Sequence, residues 1–226
     1  MIGILAGMGP KSTGPFVDKV VDECQRMYGA TYDIDFPHMM IYSCPTPFFI
    51  DRPINHEEME AAIIKGACKL EQTGVDFIAI PCNTAHIYFQ QLQHSVSVPL
   101  LNMVDETMKA IPGHSKKIAL LATDPTVQSG IFQDAFLKNG LDYIHKDHWQ
   151  ARVNQIIQMI KTGQTDEAVQ LWETFSKELT GEIDAAVIAC TDLNVVTDKQ
   201  SAIRCIDSSS CLAKAIVHKY LALRGR

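Results

Sequence analysis

The stretches VDFIAIPCNTA (75–85) and IDAAVIACTDL (183–193) share one pattern. In each, an Asp (Asp76, Asp184) stands six residues before a Cys (Cys82, Cys190), an apolar run lies between, and short polar residues follow. An apolar run of this length reads as a strand buried on both faces of a parallel sheet. One copy would be a buried strand with an incidental thiol. Two copies predict an internal duplication and a reaction that uses two thiols.

The same grammar extends along the chain. IGILA (2–6), MMIYS (39–43), FIAI (77–80), KIALLA (117–122) and AAVIA (185–189) read as strands buried on both faces. Between them, EEMEAAIIKGACKLEQTG (57–74) reads as a helix with Ala61, Ile64, Cys68 and Leu70/Glu71 in its apolar line and Gly74 as its stop. ARVNQIIQMIKTGQ (151–164) places Val153, Ile156, Ile157 and Ile160 on one face and stops at Gly163. Strands alternating with helices define an α/β fold with parallel sheets covered by helices.

The duplication has three ordered blocks. A shift of 116 lays IGILAGMGPKSTGPFVD over IALLATDPTVQSGIFQD, so that Ile2/Ile118, Leu5/Leu121, Ala6/Ala122, Gly14/Gly130, Phe16/Phe132 and Asp18/Asp134 coincide. A shift of 108 matches Cys82 with Cys190. Further on, LNMVDETMKAI matches IDSSSCLAKAI, pairing Asn102 with Asp207 and Ala110–Ile111 with Ala215–Ile216. The expected architecture is two pseudo-twofold-related α/β/α lobes: residues 1–100 with 208–226, and residues 101–207. In open α/β sheets ligands sit beyond the carboxyl ends of strands. Both cysteines fall there, so an active site is expected in the cleft between the lobes.

Bulk properties narrow the class. The 226 residues are 46% hydrophobic and 20% charged, ordinary for a soluble globular protein. A net charge of -6 without a Lys/Arg cluster argues against nucleic-acid binding. MIGILAGMGPKS reads as a first strand, not a signal peptide, and no apolar run has the length of a membrane span. A cytoplasmic location is the resulting expectation. The seven cysteines include no tight CxxC pair and are read as thiols, not as a disulfide framework. Cys24, Cys44, Cys68 and Cys205 lie in apolar segments and read as core. Cys211, in DSSSC, has no mirrored partner.

A thiol whose ordinary pKa is about 8.5 needs only a modest drop to exchange protons at neutral pH, and a helix start favours its thiolate. One such group can take a proton from one side of a carbon. Two, on opposite sides, can take it from one face and return it to the other. That inverts a stereocentre without redox change.

AGMGP after the first strand, PCNTAH in the middle, ATDPTVQSG at the start of the second half and ACTDL late in the chain together resemble the cofactor-independent aspartate/glutamate racemase family. The resemblance covers essentially the whole chain. It implies two α/β lobes with the site between them, Cys82 and Cys190 as the catalytic pair, no pyridoxal phosphate and a homodimer. The implied substrate is an acidic amino acid, aspartate before glutamate. By position it also implies substrate-binding roles for Met8 in AGMGP, Arg52 in IDRP, Asn83, Thr84, Lys161 in MIKTGQ, and Thr191. Cations suit a dicarboxylate, and an Arg fork matches a carboxylate.

Bland alternatives stand beside these roles. Arg52 is either a carboxylate clamp or a loop charge neutralised by Asp51, and Lys161 either a clamp or a side chain lying along an apolar face. Asn83, Thr84 and Thr191 cap a helix, hold substrate, or both. His86, four residues after Cys82, either tunes the thiol or belongs to the core. Phe48 and Phe49 line a pocket or pack under their loop. The chain departs from the family at Ala6, usually Gly, and at Ala189 and Asp192, where the family has Gly-Cys-Thr-Glu. The shorter Asp192 arm bears on substrate choice. Rival readings are a related isomerase or decarboxylase, and a thiol-based binder or sensor. Metal binding through Cys82 and His86 lacks two further well-spaced ligands.

Overall fold

The structure, a computed structural model, describes residues 1–49, 52–197 and 201–225. The chain divides into two compact units, Met1–Glu106 with Ser209–Arg226, and Thr107–Ser208.

In the first unit the elements run β1 (Ile2–Ala6), α1 (Thr13–Tyr28), β2 (Met39–Ser43), α2 (His56–Glu71), β3 (Phe77–Ala79), α3 (Phe89–Ser95), β4 (Leu100–Leu101) and α4 (Met103–Ala110). In the second they run β5 (Lys117–Ala122), α5 (Asp124–Gln128), α6 (Ile131–Lys138), β6 (Asp142–Tyr143), α7 (Asp147–Thr162), α8 (Thr165–Glu178), β7 (Ala185–Ala189), α9 (Asn194–Thr197) and β8 (Cys205–Asp207), and the chain then returns to the first unit in α10 (Ser208–Arg224). Helices α4 and α10 contain the points where the chain passes from one unit to the other.

Among the described residues each unit holds a four-stranded parallel sheet, ordered β2-β1-β3-β4 in one and β6-β5-β7-β8 in the other. The orders are equivalent, and so are the registers. Ile2 pairs with Phe77 as Ile118 pairs with Ala185. Ile78 pairs with Leu100 as Ala186 pairs with Cys205. The sequence shifts of 116, 108 and 105 for the three blocks reproduce these pairings residue by residue (2 + 116 = 118; 77 + 108 = 185; 100 + 105 = 205).

The repeated Asp belongs to this register. It sits at the amino end of its strand, opposite the thiol. The Asp76 N–H donates to the Met1 carbonyl and the Asp184 N–H to the Lys117 carbonyl, both at 2.8 Å. The Asp76 carboxylate pairs with the Met1 amino group, and Asp184 Oδ2 accepts the Lys116 and Lys117 N–H groups. Those two backbone bonds hold the Asp184 carboxyl below its ordinary pKa. The Asp half of the motif thus fastens the central strands together, at the end of the strand opposite the thiol.

Layering follows from side-chain alternation. In β1, Ile2, Ile4 and Ala6 pack with Phe16 and Val20 of α1 and with Leu212 and Ile216 of α10. Leu5 faces the other way, onto Met59, Ile63, Ala67 and Leu70 of α2 and Leu92 of α3. In the second unit, Ala119, Leu121, Ala186 and Ile188 pack with α7 and α8 around Trp149, Trp172 and Phe175.

Two expectations are corrected here. MMIYS is a strand, but it is the sheet edge. Met40 and Ile41 are 38% and 40% exposed, so its apolar composition marks strand type and not two-sided burial. The helix over 57–74 starts at His56, capped by the Asn55 side chain, and ends at Glu71. Its buried stripe is Met59, Ile63, Gly66, Ala67 and Leu70, about one residue out of phase with the line through Ala61, Ile64 and Cys68. Four consecutive apolar residues, Ala61–Ala62–Ile63–Ile64, make either phase plausible by periodicity alone, and packing on Leu5 selects one. Helix α7 matches its expectation: Val153, Ile156, Ile157 and Ile160 are buried, and Gly163 caps it with a left-handed φ of 87°.

Candidate functional site

At the carboxyl edge of the first sheet three strand exits come together. β1 continues into Gly7–Met8, β2 into Cys44, and β3 through Pro81 into Cys82. Met8, Phe48 and Cys82 are partly buried and pack against one cluster that includes Leu5, Cys44, Ile80 and Tyr88. Of the two Phe residues, Phe48 therefore packs under its loop, and Phe49 is half exposed. The exposed Arg52 guanidinium lies 4.3 Å from the centre of the Phe49 ring, a cation–π contact. Asp51, the partner considered for Arg52, lies outside the described residues.

After Cys82 the chain forms a 3-10 turn, Thr84–Tyr88, and α3 begins only at Phe89. After Cys190 it forms the 3-10 turn Thr191–Leu193 and then the four-residue α9. Each thiol is thus followed by a 3-10 turn and not directly by the expected start of an α-helix. Asn83 stands at the N-cap position of its turn, but its side chain is not the cap. Asn83 and Thr84 are buried, and Thr191 is half-buried.

His86 proves to be a structural bridge. Its Nδ1–H donates to the Cys82 carbonyl at 2.9 Å, and its Nε2 accepts the Met103 N–H at 3.0 Å. The two bonds together assign the Nδ1–H tautomer. The ring is 4% exposed and stacks on Phe89. Burial holds its pKa below the ordinary value, so it is neutral. With both nitrogens committed to backbone groups, it is not a metal ligand. Among the described residues no cluster of three or more His, Cys, Asp or Glu could hold a metal ion.

A pH prediction follows. The folded state resists protonating His86, while an unfolded His takes a proton near pH 6.5. The bridge's contribution is present above that value and is lost as pH falls below it, by at most about 1.4 kcal/mol per pH unit. Urea unfolding at pH 7.5 and 5.5 should show this loss in the wild-type protein and a smaller one in His86→Gln.

In the second unit, Cys190 is partly buried against the α7–α8 cluster, and Asp192 lies two residues on. Lys161 of α7 reaches Asp192 Oδ2 at 2.8 Å, with side-chain exposures of 32% and 12%. Lys161 is thus held in an ion pair beside the thiol loop, in place of the alternative in which it lies along an apolar face. Gln150 and Asn154 share its line on α7. Gln150 Nε2 donates to the Ala122 carbonyl and to Asn154 Oδ1, and Asn154 Nδ2 donates to the Asp124 carboxylate. These residues join the loops after β5 and β7 to one helix. The signal was available, since positions 150, 154 and 161 fall within about 40° on a helical wheel.

The remaining thiols divide by burial. Cys24 and Cys44 are buried, and burial pushes both above the ordinary thiol pKa, which makes them poor nucleophiles. Cys68, Cys205 and Cys211 are only partly buried, so the expectation of core holds incompletely for Cys68 and Cys205. Among the described residues no helix is long and apolar enough to cross a membrane.

Two equivalent parallel sheets, each followed by a thiol-bearing turn, define a duplicated α/β protein. The Asp/Glu/hydantoin racemase family model matches residues 5–216, and the chain belongs to that family, among the amino-acid racemases. It is 59% identical over 227 residues, covering 100% of both chains, to the broad specificity amino-acid racemase RacX of Bacillus subtilis (strain 168). Picrophilus torridus aspartate racemase superposes with a TM-score of 0.84 at 32% identity, over 96% of this chain and 93% of that one. Glutamate racemase from Francisella tularensis, solved with D-glutamate, shares the fold with a TM-score of 0.69 at 14% identity, over 99% and 81%.

Proposed function

We propose that the protein inverts the α-carbon of free amino acids by a two-thiol mechanism, with aspartate among its substrates. Cys82 and Cys190 are the proton carriers. One, as thiolate, takes the α-proton; the other, as thiol, delivers a proton to the opposite face. When the other enantiomer binds, the roles exchange. The observation that carries this reading is the equivalence of the two thiols: each follows the third strand in its sheet order, β3 or β7, in matching register.

The α-proton of an amino acid is weakly acidic, so the carboxylate that gains charge in the transition state needs positioned donors. Arg52 and Lys161 supply the cations, with Asn83, Thr84 and Thr191 as shorter-range donors. Met8 packs beside the Cys82 turn as an apolar wall. Lys161 already meets Asp192, so a substrate's distal carboxylate competes with that side chain for the ammonium group. A competition of this kind weakens selection for acidic side chains. It agrees with the broad specificity named for the B. subtilis relative, while the likeness to an aspartate racemase supports an acidic substrate within the range. We further propose that the active enzyme is a cytoplasmic homodimer.

The test uses purified protein in heavy water without added cofactor, given each enantiomer of aspartate, glutamate, leucine and lysine. Deuterium at Cα of the product enantiomer, formed from both directions, is the expected result. Turnover that requires added pyridoxal phosphate, or no α-exchange with any of the four, overturns the reading.

A further inference from the structure

Two hydrogen-bond tethers hold the segments that lead into the thiol-bearing turns, and they start from matching places in the two units. In the first, the Met103 N–H donates to His86 Nε2, and the His86 Nδ1–H donates to the Cys82 carbonyl. In the second, the buried Ser208 hydroxyl donates to the Ile188 carbonyl at 2.8 Å, two residues before Cys190. Met103 and Ser208 open α4 and α10, the helices that follow the outer strands β4 and β8. The shift that lays Asn102 on Asp207 also lays Met103 on Ser208 (103 + 105 = 208). The two tethers therefore start from equivalent positions but end two residues apart in register: an amide reaching through an imidazole to the Cys82 carbonyl in one unit, and a hydroxyl bonding directly to the Ile188 carbonyl near the end of β7 in the other (82 + 108 = 190).

An imidazole is a costly core filler. Its two nitrogens must both be satisfied when buried, and an apolar ring of similar size would fill the space without that requirement. His86 meets the requirement with two backbone bonds and is further fixed by stacking on Phe89, with ring centres 5.7 Å apart and planes 11° from parallel. The result is a rigid strut between the start of α4 and the peptide that carries Cys82.

We infer that His86 is a positioning residue for Cys82, and that Ser208 plays the same part for Cys190. Each sets the peptide geometry from which its thiol is presented to the α-carbon. The inference rests on the proposed proton-carrying role of the two thiols. Transfer depends steeply on the separation of the reacting atoms, and a misplacement of about 1 Å costs up to roughly 100-fold.

Rates alone do not isolate such a role. Enantiomers have equal free energy, so kcat/KM in the two directions must fall together whichever thiol is disturbed. The deciding readout is the primary deuterium isotope effect on kcat/KM, measured with both α-deuterated enantiomers of the best substrate from the panel above. The enantiomer that each thiol deprotonates is identified from the single-cysteine variants. In His86→Gln, kcat/KM falls roughly 10- to 100-fold. The slower transfer at Cys82 becomes more rate-limiting. The isotope effect therefore rises for the enantiomer that Cys82 deprotonates and falls for the other. Ser208→Ala gives the reversed pattern.

A folded His86→Gln protein that keeps wild-type isotope effects in both directions overturns the inference, because general loosening removes active molecules without changing which step limits the rate. Should His86→Gln fail to fold, Ser208→Ala carries the test by itself through the same two isotope effects. Full racemisation by Cys82→Ala would overturn the proposed function and this inference with it. Loss of activity in Cys82→Ala alongside unmoved isotope effects in the tether variants overturns this inference alone.

Discussion

Cys82→Ala and Cys190→Ala each remove net inversion, lowering kcat/KM by about 10²- to 10⁴-fold, the usual contribution of a positioned general acid or base. The two losses should be similar because the proposed mechanism uses both thiols in each direction. The double variant should be scarcely worse than either single one, since groups that act as a unit are not additive. Neither variant should lose much stability. Each thiol is only partly buried at the edge of its cluster, and Ala keeps the Cβ that packs there. Polarimetry or chiral chromatography reads the rate, and urea unfolding confirms the fold. Substantial racemisation by either single variant would assign the chemistry elsewhere. Cys24→Ala and Cys44→Ala serve as controls, expected to lower stability and leave the rate per folded molecule unchanged.

Gly7→Ala gives the largest expected loss of stability, about 3 kcal/mol. Gly7 leaves β1 with φ of +91°, where an L side chain is strained by about 1–2 kcal/mol. A Cβ there would also lie 2.5 Å from the backbone nitrogen of Cys44, whose N–H donates to the Ala6 carbonyl at 2.8 Å. Neither backbone can move without breaking the β1–β2 pairing. In a chain of this size the change should lower Tm by roughly 6–12 °C. Since Gly7 precedes Met8, the variant should also raise KM. Gly14→Ala is the matched control. No atom lies within 4 Å of its added Cβ and it sits in the first turn of α1, so it should be neutral or stabilising. Thermal unfolding followed by circular dichroism decides between the two.

Much of this architecture is written locally. KIALLA and AAVIA carry their burial on both faces, Gly163 ends α7 where a left-handed residue is needed, and the spacing from Asp to Cys repeats because strand length and register repeat. What escaped depends on partners distant in sequence. MMIYS has the composition of an inner strand and sits at an edge, which only sheet order decides. The phase of α2 is settled by Leu5, more than fifty positions away. His86 could be placed near Cys82 by spacing, but its task is defined by Met103, on an element that the pattern PCNTAH does not mention.

The candidate site shows the same division. Cys82 and Cys190 announce themselves by duplication. Lys161 is legible only through resemblance, and Asp192 stands out only as a departure from the family pattern, because the contact between them is made by packing of α7 on the turn after β7. Gln150 and Asn154 do not stand out in the sequence because polar residues on a helix are usually just solvated. Their spacing with Lys161 becomes meaningful once Ala122 and Asp124 are seen to receive them.

The most direct measurement of the central proposal is α-hydrogen exchange by the single-thiol variants in heavy water, followed by NMR separately for each enantiomer of aspartate. A lone thiol can still take a proton from its own side and return a deuteron to the same side. Cys82→Ala should therefore label one enantiomer without inverting it, and Cys190→Ala should label only the other. If both variants label the same enantiomer, or either one labels both, the two sulfurs do not serve opposite faces of one carbon.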